Sequence, residues 1–457
     1  MPGTDFLNSM RQYFETGTTK TYEFRKTQLL KLRKAVIQNE SALHEALYAD
    51  LKKNPEECWV TETGFVVSEI GNALNKLRAW MEPEKVKTNL LNLPSKSYVV
   101  TEPLGVVLII SPWNYPLQLL FTPLAGAIAA GNCIVLKPSE FAPATSAVMK
   151  KIVGEIFDSN YISYIEGDGA VVIPGLINHF IFDHIFYTGS TAIGKLIYQM
   201  AAKNLVPVTL ELGGKSPCII EADANVTVAS RRIVSTKFSN AGQMCVAPDY
   251  LLVHRSKKEE LLSSLGSSLL KFFGANAADN NEYARIINEK QFDRLSTYLG
   301  QGKVIYGGKT DREKLYIEPT IMDEVALNSP IMQEEIFGPV LPVIAFDTTA
   351  EALAIIALNK NPLAFYIFTS SSKKEAEWIN SVAFGCGCVN NAAYHLTNHN
   401  LPFGGRGNSG SGNYHGKYSF DTFSHKKGIM KTPTWFDPSV KYPPFKGKLK
   451  LFKWIIK

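Results

Sequence analysis

From Pro103 to Leu136 the chain runs for 34 residues without a charged side chain, and this stretch limits what the rest can fold into. Its length would satisfy a membrane span. However, Pro103, Pro112, Pro116 and Pro123, with the polar Asn114, Gln118 and Asn132, cut it into short pieces. LGVVLII (104–110) reads as a buried strand, SPWNYP as a loop, 117–130 as an apolar helix, Gly131-Asn132 as a turn and CIVLK (133–137) as a second strand. The result is a βαβ unit whose strands are apolar on both faces, the pattern of a parallel sheet covered by helices.

The alternation continues. Helix-period patterns with mixed charge fill residues 5–80, and YVVTE (98–102) reads as a strand outside them. After CIVLK, further strands are expected at IFYTG (185–189), VTLEL (208–212) and PCIIE (217–221). A second series follows at YLLVH (250–254), PTIM (319–322), PVLPVIAF (339–346), FYIFT (365–369) and CGCVNN (386–391). Strands alternating with helices over this length predict two tandem doubly wound α/β domains. Residues 403–415, rich in Gly, Ser and Asn, mark a functional or connecting loop.

The net charge of +6 suggests nucleic acid until it is located. Residues 441–457 hold six lysines and no acid, and without them the chain carries 42 basic and 42 acidic side chains. The basicity belongs to a tail, so no nucleic-acid partner is expected. Six cysteines without a CxxC pair are too few for a disulfide scaffold and point to a reduced, cytoplasmic setting. MPGTDFLNSM has neither the basic nor the apolar region of a signal peptide.

Three polar residues stand out for chemistry. A lone cysteine is ordinarily a small core residue, but Cys245 in SNAGQMCVAPDY follows Asn240, Gly242 and Gln243, which suit a close approach to a ligand. As a nucleophile it needs a base and an oxyanion site, and none of the eight histidines stands in a recognisable dyad context. Glu211 in VTLELGGKSP is the better candidate base. A charged residue on a strand before Gly213-Gly214 is either salt-bridged or a carboxylate whose pKa burial raises. Asn114 follows the first buried strand, where open α/β sheets bind ligands. Its amide either donates to a developing oxyanion or serves turn geometry.

A dinucleotide site is less explicit, because no GxGxxG follows a strand. IFYTGSTAIGK instead places Gly189, Ser190 and Gly194 where a strand opens into a helix, a candidate pyrophosphate seat. Glu140, after Lys137 in KPSE, is an acid of the kind that binds adenosine ribose hydroxyls and disfavours a 2′-phosphate. Gly213 and Gly214 would let the backbone approach a cofactor closely.

Taken together these motifs resemble the aldehyde dehydrogenase superfamily. In the family's order stand PWNYP (112–116), KPSE (137–140), TGST (188–191), ELGGKSP (211–217), GQMC (242–245), EEIFGPV (334–340) and PFGG (402–405). The resemblance covers about residues 5–445. The short region before PWNYP, with CVAPDY (245–250) and YHGKYSFDTFSH (414–425), is similar to the class 3 branch of fatty and aromatic aldehyde dehydrogenases.

The resemblance implies NAD(P)+-dependent oxidation of medium- or long-chain aliphatic or aromatic aldehydes to acids, with no metal. Cys245 would attack the aldehyde, Asn114 and the Cys245 N–H would hold the oxyanion, and Glu211 would activate the hydrolytic water. Lys137 and Glu140 would bind the adenosine ribose of NAD, with NADP as an alternative, and Gly189, Ser190 and Gly194 the pyrophosphate. Gly213, Glu335 and Phe337 would flank the nicotinamide end. Tyr115 and Leu119 would line the aldehyde tunnel. Met244, where many relatives carry threonine, would reshape that pocket. The implied architecture is a Rossmann-like cofactor domain (1–81 and 103–209) and a catalytic domain (210–394). A small β bridging element (82–102 and 395–425) and a basic tail (426–457) complete it, and the assembly is a homodimer.

Other features compete for attention. His395 and His399 have a metal-like spacing but lie in a loop-like segment without a third ligand. Cys386 and Cys388 read as strand packing. In the tail, Lys446, Lys450, Lys453 and Lys457 fall at helical spacing beside Leu449, Phe452 and Ile456. That segment either lies on an anionic membrane surface, packs on the partner subunit or stays solvated. A cofactor-independent cysteine hydrolase, an acylating dehydrogenase and a catalytically silent binding protein are the alternatives to the dehydrogenase.

Overall fold

The computed structural model describes residues 5–280 and 283–456. Among the described residues the strands form a six-stranded sheet, a seven-stranded sheet, a three-stranded sheet and a two-stranded ribbon. The six-stranded sheet runs, edge to edge, through Gly410–Ser411, Val208–Glu211, His184–Thr188, Val106–Ile110, Cys133–Lys137 and Ile162–Tyr164. All its pairings are parallel except that of Gly410–Ser411. Every residue of Val106–Ile110 and Cys133–Lys137 is buried, because helices cover both faces of the sheet. Between these two strands lies the helix Gln118–Ala130, buried along its whole length and ended by Gly131 at φ 93°. The uncharged stretch is therefore the centre of the first sheet. No helix among the described residues is long and apolar enough to cross a membrane.

Chain order places Val106–Ile110 beside His184–Thr188, so the direction of winding switches between these two strands. Ligands of such sheets bind beyond the carboxyl ends at the switch. Those ends carry the Asn114 loop, Lys137, the Gly189 turn and Glu211. The seven-stranded sheet runs Lys303–Tyr306, Thr320–Asp323, Val340–Phe346, Tyr250–His254, Pro217–Ile220, Ala364–Phe368 and Cys386–Val389, parallel except at its first pair.

The N-terminal helices pack on the first sheet. Tyr22–Gln38 is capped by Thr21 and buries Leu29, Leu32, Ala35 and Val36 at helical spacing. Its buried Arg25 donates to the carbonyls of Thr19 (3.2 Å) and Ala129 (3.1 Å), fastening it to the end of the apolar helix. The three-stranded sheet pairs Lys96–Pro103 with Glu84–Val86 on one side and with Ser424–Lys431 on the other. The last strand extends six residues into the segment read from sequence as tail, because its eight-residue ladder with Lys96–Pro103 is unbroken.

The tail helix is shorter than its lysine spacing predicts. It covers Leu449–Ile455 only, since Gly447 at φ 84° is left-handed and interrupts the pattern that Lys446 would begin. Lys457 lies outside the described residues. His395 and His399 part company: His395 sits between Cys386 (3.0 Å) and Cys388 (3.3 Å), while His399 meets Glu69 at 2.7 Å.

Candidate active site

Cys245 is reached through an unusual turn. Helix Val226–Phe238 ends, and Asn240, Ala241 and Gly242 follow with φ of 49°, 51° and 75°. Left-handed non-glycine residues cost of order 1–3 kcal/mol each, so this loop needs compensation. The Glu57 carboxylate accepts from the Asn240 N–H (2.7 Å) and the Ser239 hydroxyl (2.8 Å). Such charge-assisted bonds contribute about 1.5–3 kcal/mol each and are enough to offset the strain. Buried Gln243 adds bonds to the carbonyls of Asn240 (3.0 Å) and Arg285 (2.9 Å) and accepts from the Ile287 N–H (3.0 Å). Gly242 is obligatory, because a Cβ there would fall 2.3 Å from the Gly338 carbonyl oxygen.

The turn delivers Cys245 half-buried into a cavity of about 230 Å³. Glu211, Tyr115, Leu119 and Met244 line the same space, with Phe65 and Leu396. Burial pushes the Cys245 thiol up to about 12, the carboxylates of Glu335 and Glu211 adding to it, against the backbone N–H groups of Cys245 and Val246. In the protein alone the sulfur is therefore protonated at neutral pH. Glu211 closes the strand Val208–Glu211 and is 3% exposed, and neither carboxylate oxygen has a hydrogen-bond partner. Burial raises its pKa well above the usual carboxylate range. A buried acid without a partner, lining the same cavity as a thiol, is a candidate for proton transfer.

Asn114 is also buried. Its Nδ2 donates to the Gln243 carbonyl (3.0 Å), which leaves one amide hydrogen for another acceptor.

At the carboxyl edge of the first sheet, Lys137 donates to Pro138 O (2.6 Å) and Glu140 Oε2 (3.2 Å). The other Glu140 oxygen accepts from the Gly169 N–H at 3.0 Å. Burial opposes its charge, but the Gly169 and Glu140 N–H groups and the Lys137 ammonium outweigh burial and lower its pKa. Ser190 caps helix Thr191–Ala202 directly after Gly189, and a Cβ on Gly194 would meet Leu212 at 2.6 Å. On the opposite wall, a Cβ on Gly213 would fall 1.8 Å from Glu335 Oε2, so only glycine lets that carboxylate in. Burial, then Asp249, pushes Glu335 up to about 8, while the Gly214 N–H, Lys215 and Arg294 oppose. Phe337 is left-handed at φ 48°, with its ring edge-on to Trp113 at 5.4 Å. A helix N-terminus, ribose-competent acids and a glycine cradle are parts that suit a dinucleotide.

Several residues that hold these parts escaped the sequence reading. Buried Lys215 pairs with Asp249 and donates to the carbonyls of Ile331 (2.6 Å) and Glu334 (3.1 Å). Asp249 in turn accepts from the Ile336 N–H (3.0 Å), fixing the Glu335 loop. Lys215 and Asp249 stand within ELGGKSP and CVAPDY, but no spacing rule pairs them. Glu57, Lys53 and Glu62 lie in an ordinary mixed-charge helical region and gave no local signal.

A thiol and an unpartnered acid share one apolar cavity beside the carboxyl ends of a doubly wound sheet, an arrangement that suits chemistry on a carbonyl. The chain belongs to the aldehyde dehydrogenase family, whose profile matches residues 5–429. It is 48% identical to the 4,4'-diaponeurosporen-aldehyde dehydrogenase of Staphylococcus aureus, over 97% of this chain and 96% of that one. It is 41% identical to human aldehyde dehydrogenase family 3 member B1, over 97% and 95%, which agrees with the class 3 resemblance. Its fold superposes on the structure described as the substrate-bound state of Staphylococcus aureus AldH with a TM-score of 0.96. The identity there is 46%, covering 99% of each chain. The cofactor of such an enzyme is NAD or NADP.

Proposed function

We propose that the protein oxidises medium- or long-chain aliphatic or aromatic aldehydes to carboxylic acids through a thioester on Cys245. The observation that carries this reading is the shared cavity of Cys245 and the unpartnered Glu211. The Cys245 thiol gives up its proton to solvent, the sulfur adds to the aldehyde carbon, and the carbonyl oxygen takes up the negative charge. The free Asn114 amide hydrogen and the Cys245 N–H stabilise that charge. NAD+, when bound, brings positive charge into the site and accepts the hydride. Lys137 and Glu140 would hold its adenosine ribose, Gly189, Ser190 and Gly194 its pyrophosphate, and Gly213, Glu335 and Phe337 its nicotinamide end. Glu211 then takes a proton from water, whose oxygen attacks the thioester, and the Cys245 thiolate leaves as the acid forms.

The apolar lining supports this substrate class. A second space of about 240 Å³, bordered by Trp59, Ser68 and His399, shares Val60, Phe65 and Thr397 with the first. At about 0.8 kcal/mol per buried methylene, two or more extra methylenes favour a longer aldehyde about tenfold. Absorbance of reduced nicotinamide should therefore rise with NAD+ and a long-chain aldehyde. The expected kcat/KM is at least about tenfold above that for a two-carbon aldehyde. The Staphylococcus aureus relative's named aldehyde is a third substrate to offer. Absence of reduction with every pair, in folded protein, would move the hydrolase and binding-protein readings ahead.

Glu140 supports NAD over NADP. A carboxylate kept ionised repels a 2′-phosphate, so Glu140→Gln should raise the NADP+ to NAD+ ratio of kcat/KM about tenfold. An unchanged ratio would remove Glu140 from the ribose site.

The 1–81 and 103–209 segments form the cofactor domain in this reading, with 210–394 as the catalytic domain and 82–102 with 395–425 as the bridge. The exposed edge strand Ser424–Lys431 supports a homodimer, since such an edge invites pairing with a second chain. Six free cysteines suit a cytoplasmic enzyme. Exposed Leu449, Trp454 and Ile456 beside the tail lysines support peripheral contact with an anionic surface.

A further inference from the structure

Lys53 and Glu62 form a buried ion pair at 2.8 Å, both side chains fully enclosed. Burying such a pair is costly unless every remaining hydrogen-bonding group is used, and here each is spent on one loop. The Lys53 ammonium donates to the Asn114 carbonyl (2.9 Å) and sits 3.8 Å above the Tyr115 ring. The second Glu62 oxygen accepts from the Gln118 N–H (2.8 Å), at the first turn of the helix that carries Leu119. The pair thus grips both ends of the segment 114–118. A second hand reaches the same Asn114 carbonyl from the nucleophile turn, the Asn240 amide at 2.8 Å. Glu62 itself belongs to a π-helical turn, Trp59–Thr63, a local widening that recurs at functional sites. Val60 and Thr61 of that turn line the cavity.

We infer that Lys53, held by Glu62, is a positioning residue that fixes the Asn114 backbone so that its side-chain amide meets the oxyanion. The inference rests on Asn114 being the oxyanion donor. Lys53 touches no reacting atom, and it acts by keeping that donor within the tolerance oxyanion stabilisation demands. A displacement of about 1 Å in such a group costs up to about 100-fold in rate.

The test compares Lys53→Met, Asn114→Ala and the two combined, measuring kcat, the aldehyde KM and the dissociation constant of NAD+. Lys53→Met should lower kcat about 30-fold, with the aldehyde KM and NAD+ binding within about threefold of wild type. In the Asn114→Ala background it should lower kcat by no more than about twofold further, because the donor it positions is already gone. Multiplying losses, or a loss carried by KM or by NAD+ affinity, would overturn the inference while leaving Asn114 in place. A full rate in Asn114→Ala would overturn both.

An unpaired buried Glu62 threatens folding, so Lys53→Met with Glu62→Gln supplies the second arm. This change removes both charges and keeps an acceptor for the Gln118 N–H. Its melting temperature should return to within a few degrees of wild type while kcat stays about 30-fold down. Recovery of kcat together with stability would make the pair a matter of charge balance alone and refute positioning.

Discussion

Cys245→Ala should abolish aldehyde oxidation, with a loss of at least about 10⁴-fold in kcat, and leave NAD+ binding within about threefold of wild type. The size of the loss follows from the cavity. Among the described residues no second thiol lines it: Cys386 donates to the Leu363 carbonyl at 3.3 Å and shares His395 with Cys388. Without sulfur nothing adds to the carbonyl carbon, and an aldehyde that is not first converted to a tetrahedral adduct gives up hydride poorly. Alanine is small and apolar, so the strained turn through Asn240, Ala241 and Gly242 keeps its bonds to Glu57 and Gln243. Titration of NAD+ into the variant, by fluorescence or calorimetry, separates loss of chemistry from loss of fold. Residual oxidation above about one part in a thousand would mean that another group is the nucleophile.

How far the sequence could be read depended on the range of the interaction concerned. Tyr250–His254 was legible to the residue and Val106–Ile110 nearly so, because a strand buried on both faces leaves a short apolar run between turn signals. Glu211 was legible as an anomaly, a charge on a strand otherwise apolar, and the structure gives it no partner. The tail helix failed at Gly447, where one backbone conformation overrode a regular lysine pattern. Least visible were the buried pairs Lys53–Glu62 and Lys215–Asp249. Each joins residues whose local contexts look like solvated helix or loop, and only the folded topology turns them inward. The candidate chemical groups left local signatures in glycine, proline and isolated polar residues, whereas the buried pairs beneath them left none.

Glu211→Gln separates the two halves of the reaction and should give the clearest kinetic signature. Glutamine keeps the shape and removes the base, so acylation proceeds and hydrolysis stalls. Mixing the variant with NAD+ and aldehyde should give a burst of reduced nicotinamide close to one per active site. Steady turnover should then fall about 10³-fold, within the usual range for loss of a general base. Acid quenching should trap the acyl group on Cys245. The pH dependence carries the same message. Burial lifts the Glu211 pKa well above the usual carboxylate range. A base works when deprotonated, and kcat of the wild type should therefore rise with pH through that raised pKa, with a slope the variant lacks. Cys245 also needs its ionised form, but ionisation of the thiol governs the burst rate and not the hydrolytic step. The two limbs are distinguished by reading burst and steady state separately at each pH. A variant that shows neither burst nor turnover would assign Glu211 to activation of the thiol, and the water would then need a different base.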